Sequence, residues 1–141
     1  MWAFDGANIW VANGQNSITK LRASDGTVLG TFTVGNCPSG VAFDGANIWV
    51  SNFCDGTVTE VQASGGTVLG TFTVGSNPQG VAFDGANVWV ANRGGNTVTK
   101  LSVSNGLVLG TFAVGTNPSG IAFDGANIWV ASNGSNIVSK L

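Results

Sequence analysis

The chain has no histidine and no tyrosine, and only one methionine and two cysteines in 141 residues. Without histidine the commonest general base is missing, and with it the nucleophile–histidine pairs of acyl transfer. Two cysteines with no histidine cannot fill the four-ligand set of a structural zinc site. Charge is also scarce: 9% of residues are charged, against about 25% in ordinary soluble domains. Five Lys and Arg in all, at a formal net charge of −2, leave little to neutralise phosphates, so nucleic acid is not an expected partner. Hydrophobic residues make up 43% of the chain, but Gly, Asn, Asp and Ser break them into short runs. Nothing approaches the roughly 18 consecutive apolar residues of a membrane helix, so no membrane insertion is expected. Met1-Trp2-Ala3-Phe4 has neither the basic nor the apolar region of a signal peptide, and none is expected within this chain.

What the chain does have is a repeat. The segment AFDGAN begins at Ala3, Ala42, Ala82 and Ala122, at spacings of 39, 40 and 40 residues. IWVAN or VWVAN, NTVTKL, GTVLGTFTVG and NPSGVAFDG recur around it. The first repeat is one residue short between Asn13 and Ser17, which marks that stretch as a loop. Each unit carries four β-rich runs separated by turn residues. In the second unit these are Gly40–Phe43, Ile48–Ser51, Thr57–Val61 and Thr67–Val74, divided by Asp44-Gly45, Cys54–Gly56 and Gly65-Gly66. Gly56 stands where the other units have Asn16, Asn96 and Asn136. That interchange predicts a left-handed backbone at all four positions. No segment has a capped 3.6-residue apolar period, so no helix is expected.

Four antiparallel strands in about 40 residues, apolar on both faces, predict an all-β chain of propeller blades. A β-solenoid is the main rival, although its coils are shorter and lack paired hairpin turns. The blades are expected at about 2–35, 36–75, 76–115 and 116–141, in a single partial propeller. The string WVAN…NTVTKL…GTVLGTFTVG…NPSGVAFDGANIWVAN resembles the YVTN-family β-propeller repeat, with Trp89-Val90-Ala91-Asn92 in place of the naming tetrapeptide. The resemblance extends over essentially the whole chain. It is most specific at the Gly-x-Asn-Pro-x-Gly turns, Gly75–Gly80 and Gly115–Gly120. It implies a propeller used as a surface-layer or secreted module, related to the NHL and streptogramin-lyase-like propellers, in an extracellular or cell-surface setting. The streptogramin-lyase-like relatives are expected to rely on histidine, and this chain departs from them there.

Counted from the axis outwards as A to D, the strands read ABCD three times and then ABC, about 3.75 blades, with the first A strand clipped at its start. An arc of this size leaves the apolar faces of its end blades in water. Two copies joined head to tail would close an eight-bladed ring, and a two-fold axis requires the even number. A homodimer is therefore the expected partnership, with a fragment of a longer or engineered chain as the alternative. The chain is expected to be a non-enzymatic scaffold or interaction module, to hold no cofactor, and to engage a protein or glycan if anything. A lectin-like propeller is the second reading and an enzyme the third.

Cys37 stands where the other D–A turns have Asn77 and Asn117, and Cys54 where the third repeat has Gly94. Both loops belong to one face of a blade, so the paired departures predict a disulfide and an oxidising compartment; two unrelated thiols are the alternative. Trp10, Trp49, Trp89 and Trp129 share one mid-strand position and are expected between blades. Trp2, where the repeat has Val41, Val81 and Ile121, is expected to fill the chain junction. Asp5, Asp44, Asp84 and Asp124 end the A strands. They are expected to cap turns, and could otherwise ring one mouth of the channel and hold a cation. On the opposite face Asn52, Phe53, Gln79 and Arg93, with Ser39 and Ser119, vary between repeats, so they are the candidate ligand-binding positions. Among the acids only Glu60 and Asp55 lie away from repeated turns.

Overall fold

Each AFDGAN segment turns the chain back on itself at Asp-Gly, where the glycines adopt φ of 96–101°, a range closed to most side chains. The flanking β-branched and aromatic residues extend into strands, and the pattern repeats through the chain. The computed structural model describes residues 1–141 and contains fifteen strands and no helix. The first blade is β1 (Trp2–Phe4), β2 (Asn8–Asn13), β3 (Ser17–Arg22) and β4 (Val28–Thr33). The second is β5 (Pro38–Phe43), β6 (Asn47–Asn52), β7 (Thr57–Gln62) and β8 (Val68–Thr73). The third is β9 (Pro78–Phe83), β10 (Asn87–Asn92), β11 (Thr97–Ser102) and β12 (Val108–Ala113). The fourth has three strands, β13 (Pro118–Phe123), β14 (Ile128–Ser132) and β15 (Ile137–Lys140). Every sheet is an antiparallel meander in chain order.

Two local expectations change. The complete A strands begin at the proline, Pro38, Pro78 and Pro118, two residues before the expected Gly40 position. A proline at a strand's first residue forfeits no ladder hydrogen bond. Gly56, Asn96 and Asn136 have φ of 66°, 54° and 53°, but Asn16 is not left-handed. Its loop is one residue shorter, so the chain re-enters β3 without the left-handed step.

The blades pack face to face around the A strands, which lie innermost and against one another. A Cβ on Gly40 would overlap the Gln79 carbonyl oxygen, and one on Gly80 the Ser119 carbonyl oxygen. Glycine is needed at these positions because the inner strands approach too closely for a side chain. Further out, each blade inserts a tryptophan and a β-branched residue into the next. Trp10 and Ile18 pack with Val41, Ile48, Val50 and Val61. Trp49 and Val58 pack with Val88, Val90 and Leu101, and Trp89 and Val98 with Ile128 and Val130. The core is thus three separate interblade layers.

Candidate functional site

The aspartates at the A–B turns spend their oxygens within their own blades. Asp44 Oδ1 accepts from the backbone N–H of Ala46 (2.8 Å) and Asn47 (2.7 Å), and its Oδ2 accepts from Trp49 Nε1 (2.7 Å). The indole bond recurs at 2.8 Å from Trp10 to Asp5, 2.7 Å from Trp89 to Asp84 and 2.6 Å from Trp129 to Asp124. Burial pushes Asp5 and Asp84 upward, but the indole and turn N–H donors outweigh it and hold both below the ordinary carboxylate range. The Trp129 indole and the N–H groups of Asn127 and Ala126 hold Asp124 well below that range. These carboxylates fix the turn and aim the tryptophan. Within one chain they form no cluster of three or more metal-ligating side chains, and their hydrogen bonds are those of turn caps.

The variable positions of the other face do not come together as one site. Asn52 is fully buried. Its Oδ1 accepts from Gly35 N–H (3.1 Å) and its Nδ2 donates to Thr57 (3.0 Å) and Thr59 (2.8 Å) hydroxyls. Asn92 repeats this set with Gly75, Thr97 and Thr99. Asn52 therefore ties a strand end to the D–A turn and presents nothing to a ligand. Gln79 lies inside β9, not in a loop; its carbonyl accepts from the Ser51 hydroxyl at 2.7 Å, and its Oε1 is buried without a partner. Phe53 is half-buried and Arg93 exposed. Their backbone N–H groups bond Cys37 and Asn77 carbonyls, both at 3.0 Å, so the two side chains do occupy matching turns.

Next to Phe53 in sequence, Cys54 is joined to Cys37 in a disulfide, with Cα atoms 5.4 Å apart and a sequence separation of 17. Cys37 has a left-handed φ of 53°, like its counterparts Asn77 (51°) and Asn117 (52°). Asn77 Nδ2 donates to the Phe53 carbonyl across the blade boundary at 3.3 Å.

The sequence reading missed one constellation. Lys20, Lys100 and Lys140 place their ammonium groups over the rings of Trp10, Trp89 and Trp129 at 5.1, 4.8 and 5.7 Å. Lys20 Nζ also donates to the Ala63 carbonyl of the next blade at 2.7 Å. The second blade has Glu60 instead, only 8% exposed, with Asn47 Nδ2 donating to Oε1 at 2.8 Å. Desolvation pushes this carboxyl above its ordinary value; the Asn47 bond opposes the shift and the Asp44 charge adds to it. The signal for the constellation was present: Trp follows Asp by five residues in every repeat, and Lys follows Trp by ten in the first repeat, which is one residue short, and by eleven in the third and fourth.

No family model and no curated protein matches the chain. Solved structures do. Hydrazine synthase from Kuenenia stuttgartiensis superposes with a TM-score of 0.89 at 22% identity over 99% of this chain, which spans 44% of that one. The computationally designed Ika4 protein superposes with a TM-score of 0.84 at 14% identity, covering 99% of this chain and 88% of that one. With the four meander sheets, these likenesses establish a β-propeller-like fold.

Proposed function

We propose that the chain is a non-enzymatic, YVTN-like propeller scaffold that closes head to tail with a second copy into an eight-bladed ring. One observation carries this reading: the two open faces of the arc are the two halves of its internal interface. Trp10 and Trp49 are 0% exposed and Trp89 7%, whereas Trp129 is 39% exposed. Ile18, Val58 and Val98 are fully buried, whereas Val138 is 64% exposed. The layer that covers Trp10 is Val41, Ile48, Val50, Val61 and Ala63. Its equivalents at the other end of the arc are Trp2, Ile9, Val11, Leu21 and Ala23, of which Trp2 is 66% exposed. Lys140 would then reach the Ala23 carbonyl of the second copy as Lys20 reaches Ala63.

The ring would present the B–C and D–A loops on one rim, stiffened at the second blade by the disulfide. That rim is where a scaffold would meet a protein or surface polymer, in the extracellular or cell-surface setting that a disulfide favours. Sedimentation equilibrium tests the assembly: the expected mass is twice the 14.2 kDa of the chain. A 14.2 kDa species at tens of micromolar would overturn the ring.

A further inference from the structure

We propose that the rim carrying the A–B and C–D turns docks onto a zwitterionic lipid surface, through pairs of Val and Leu presented by the outer strands. The second blade, which has a blade packed on either side, shows the feature most plainly. Val68 and Leu69 are consecutive residues of β8, and both are exposed, at 45% and 50%. Strand alternation would turn one of the two inward with Phe72. A bulge prevents this: Glu60 pairs with Gly70 and Val61 with Val68, so Leu69 is an extra residue on the outer strand. The same shift makes Leu29 the extra residue of β4 and Leu109 that of β12. Val28 and Leu29 are likewise 60% and 43% exposed. A bulge re-aims a side chain, and here it sets two aliphatic side chains outward together, directly after the C–D turn of each four-stranded blade.

The pairs join into one belt. Phe32 of β4 abuts Gly66, in the C–D turn that leads into Val68, and Phe72 of β8 abuts Gly106, in the turn that leads into Val108. The belt is free of charge: residues 26–43, 61–83 and 101–123 contain no charged side chain, although charges ordinarily guard an exposed outer strand. The bulges exclude an added β-strand as the occupant, because they break the ladder at the Val–Leu positions. A sugar polymer would need ring faces and hydrogen-bond donors, which Val and Leu lack. Aliphatic pairs repeated at one level on successive blades fit an acyl boundary, where binding strengthens with the apolar area buried. The strands alternate in direction, so the A–B turns share this rim and place Asp5, Asp44 and Asp84 inward of the belt. The side-chain cations nearby are engaged, Lys20, Lys100 and Lys140 over indoles and Arg22 with Asp25. Carboxylates without a free cation repel anionic headgroups and suit phosphatidylcholine, whose outermost charge is a quaternary ammonium. The contact is peripheral, lies on the rim opposite the B–C and D–A loops, and needs only β4 and β8, so it holds for one chain or for a ring.

The test is co-sedimentation with phosphatidylcholine vesicles, read as the bound fraction against lipid concentration. Binding should saturate, persist at high ionic strength, and gain nothing when part of the lipid is phosphatidylserine. The triple variant Leu29→Gln, Leu69→Gln and Leu109→Gln alters exposed side chains alone. Its far-ultraviolet circular dichroism should match the parent while its affinity falls at least tenfold. Leu→Met at the same three positions should keep affinity within about twofold of the parent, and Arg93→Gln on the opposite rim should bind like the parent. Absence of pelleting at millimolar lipid, parent-like binding by the Leu→Gln variant, or binding only to phosphatidylserine vesicles would overturn the proposal. So would lipid-free self-association that the Leu→Gln variant abolishes, because a second copy would then cover the belt. Sedimentation of the lipid-free parent separates this inference from the ring. A 14.2 kDa species that binds vesicles sinks the ring and keeps the rim, whereas a dimer that ignores them does the reverse.

Discussion

Removing the Cys37–Cys54 bond should weaken the fold by an amount that can be worked out in advance. The bond closes 17 residues, and in the chain-entropy account a loop of that size restricts the unfolded ensemble by about 3 kcal/mol. Cys37 also occupies a left-handed backbone at φ 53°, a conformation that asparagine tolerates and most other side chains resist by about 1 kcal/mol. Two double variants separate these contributions. Cys37→Ser with Cys54→Ser loses the cross-link and keeps a residue poorly suited to the turn. Cys37→Asn with Cys54→Ser loses the same cross-link but restores the residue found at Asn77 and Asn117. Urea unfolding at one fixed protein concentration, with and without reductant, should place the Ser/Ser form about 3 kcal/mol below the oxidised parent. The Asn/Ser form should recover about 1 kcal/mol of that loss, and the slope with urea should rise for both because the unfolded chain expands. Coincident unfolding curves for oxidised parent and Ser/Ser variant would refute the entropic argument. Equal stability of the two variants would refute the argument about the turn.

Three further outcomes follow from single side chains. Glu60→Lys should stabilise by about 1 kcal/mol at pH 7, by setting an ammonium over Trp49 as Lys20 sits over Trp10. Because burial raises the Glu60 pKa, the parent's contribution from this group is fullest below about pH 4.5 and is lost as pH rises through the folded value. The advantage of Glu60→Gln should accordingly shrink as unfolding is measured at lower pH. Asp84 has the opposite sign: its lowered pKa gives stability present above about pH 3.8 and lost as pH falls further. Asp84→Asn, which weakens the bond to the Trp89 indole, should destabilise by about 1 kcal/mol at pH 7 and by less at pH 2, read from urea midpoints at each pH. Trp2→Lys places a charge on an exposed apolar face, so sedimentation should find a single-chain mass with unchanged far-ultraviolet circular dichroism. A variant that remained dimeric would show that the Trp2 face is not the junction.

The blade architecture was legible because the repeat states the three inner strands four times and the outer strand three times, and the Asp-Gly turns punctuate it. The disulfide was legible for the same reason: against a near-identical background, two departures on one face of one blade stand out. Variation was a poorer guide at Asn52 and Gln79. Position 52 is buried and fixed by the threonines of the next strand, and Gln79 lies inside a strand, where its carbonyl accepts from Ser51 of the neighbouring blade and its Oε1 is buried. The indole-to-carboxylate bond was missed because Asp-Gly already had a sufficient explanation as a turn; only the fixed spacing of five residues to the tryptophan could have added the second role.

Near-identical blades meet through a heterologous interface, the same surface pair reused at each step, and such an interface specifies a rotation but not an end. What fixes the rotation is the spacing at the inside of the wedge relative to the outside. On the inside, Gly40 and Gly80 let successive A strands approach until a backbone carbonyl occupies the place of a side chain. Further out, a tryptophan and its stacked phenylalanine hold the blades apart. Small inside and large outside is the taper that turns a stack of sheets into an arc. A methyl group added at Gly40 or Gly80 would widen the inner spacing alone and flatten the turn between blades, so it would strain an eight-bladed closure while leaving each blade's own hydrogen-bonded ladder intact. The stability of single blades and the ability of two copies to close are therefore set by different residues, and substitutions can alter one without the other.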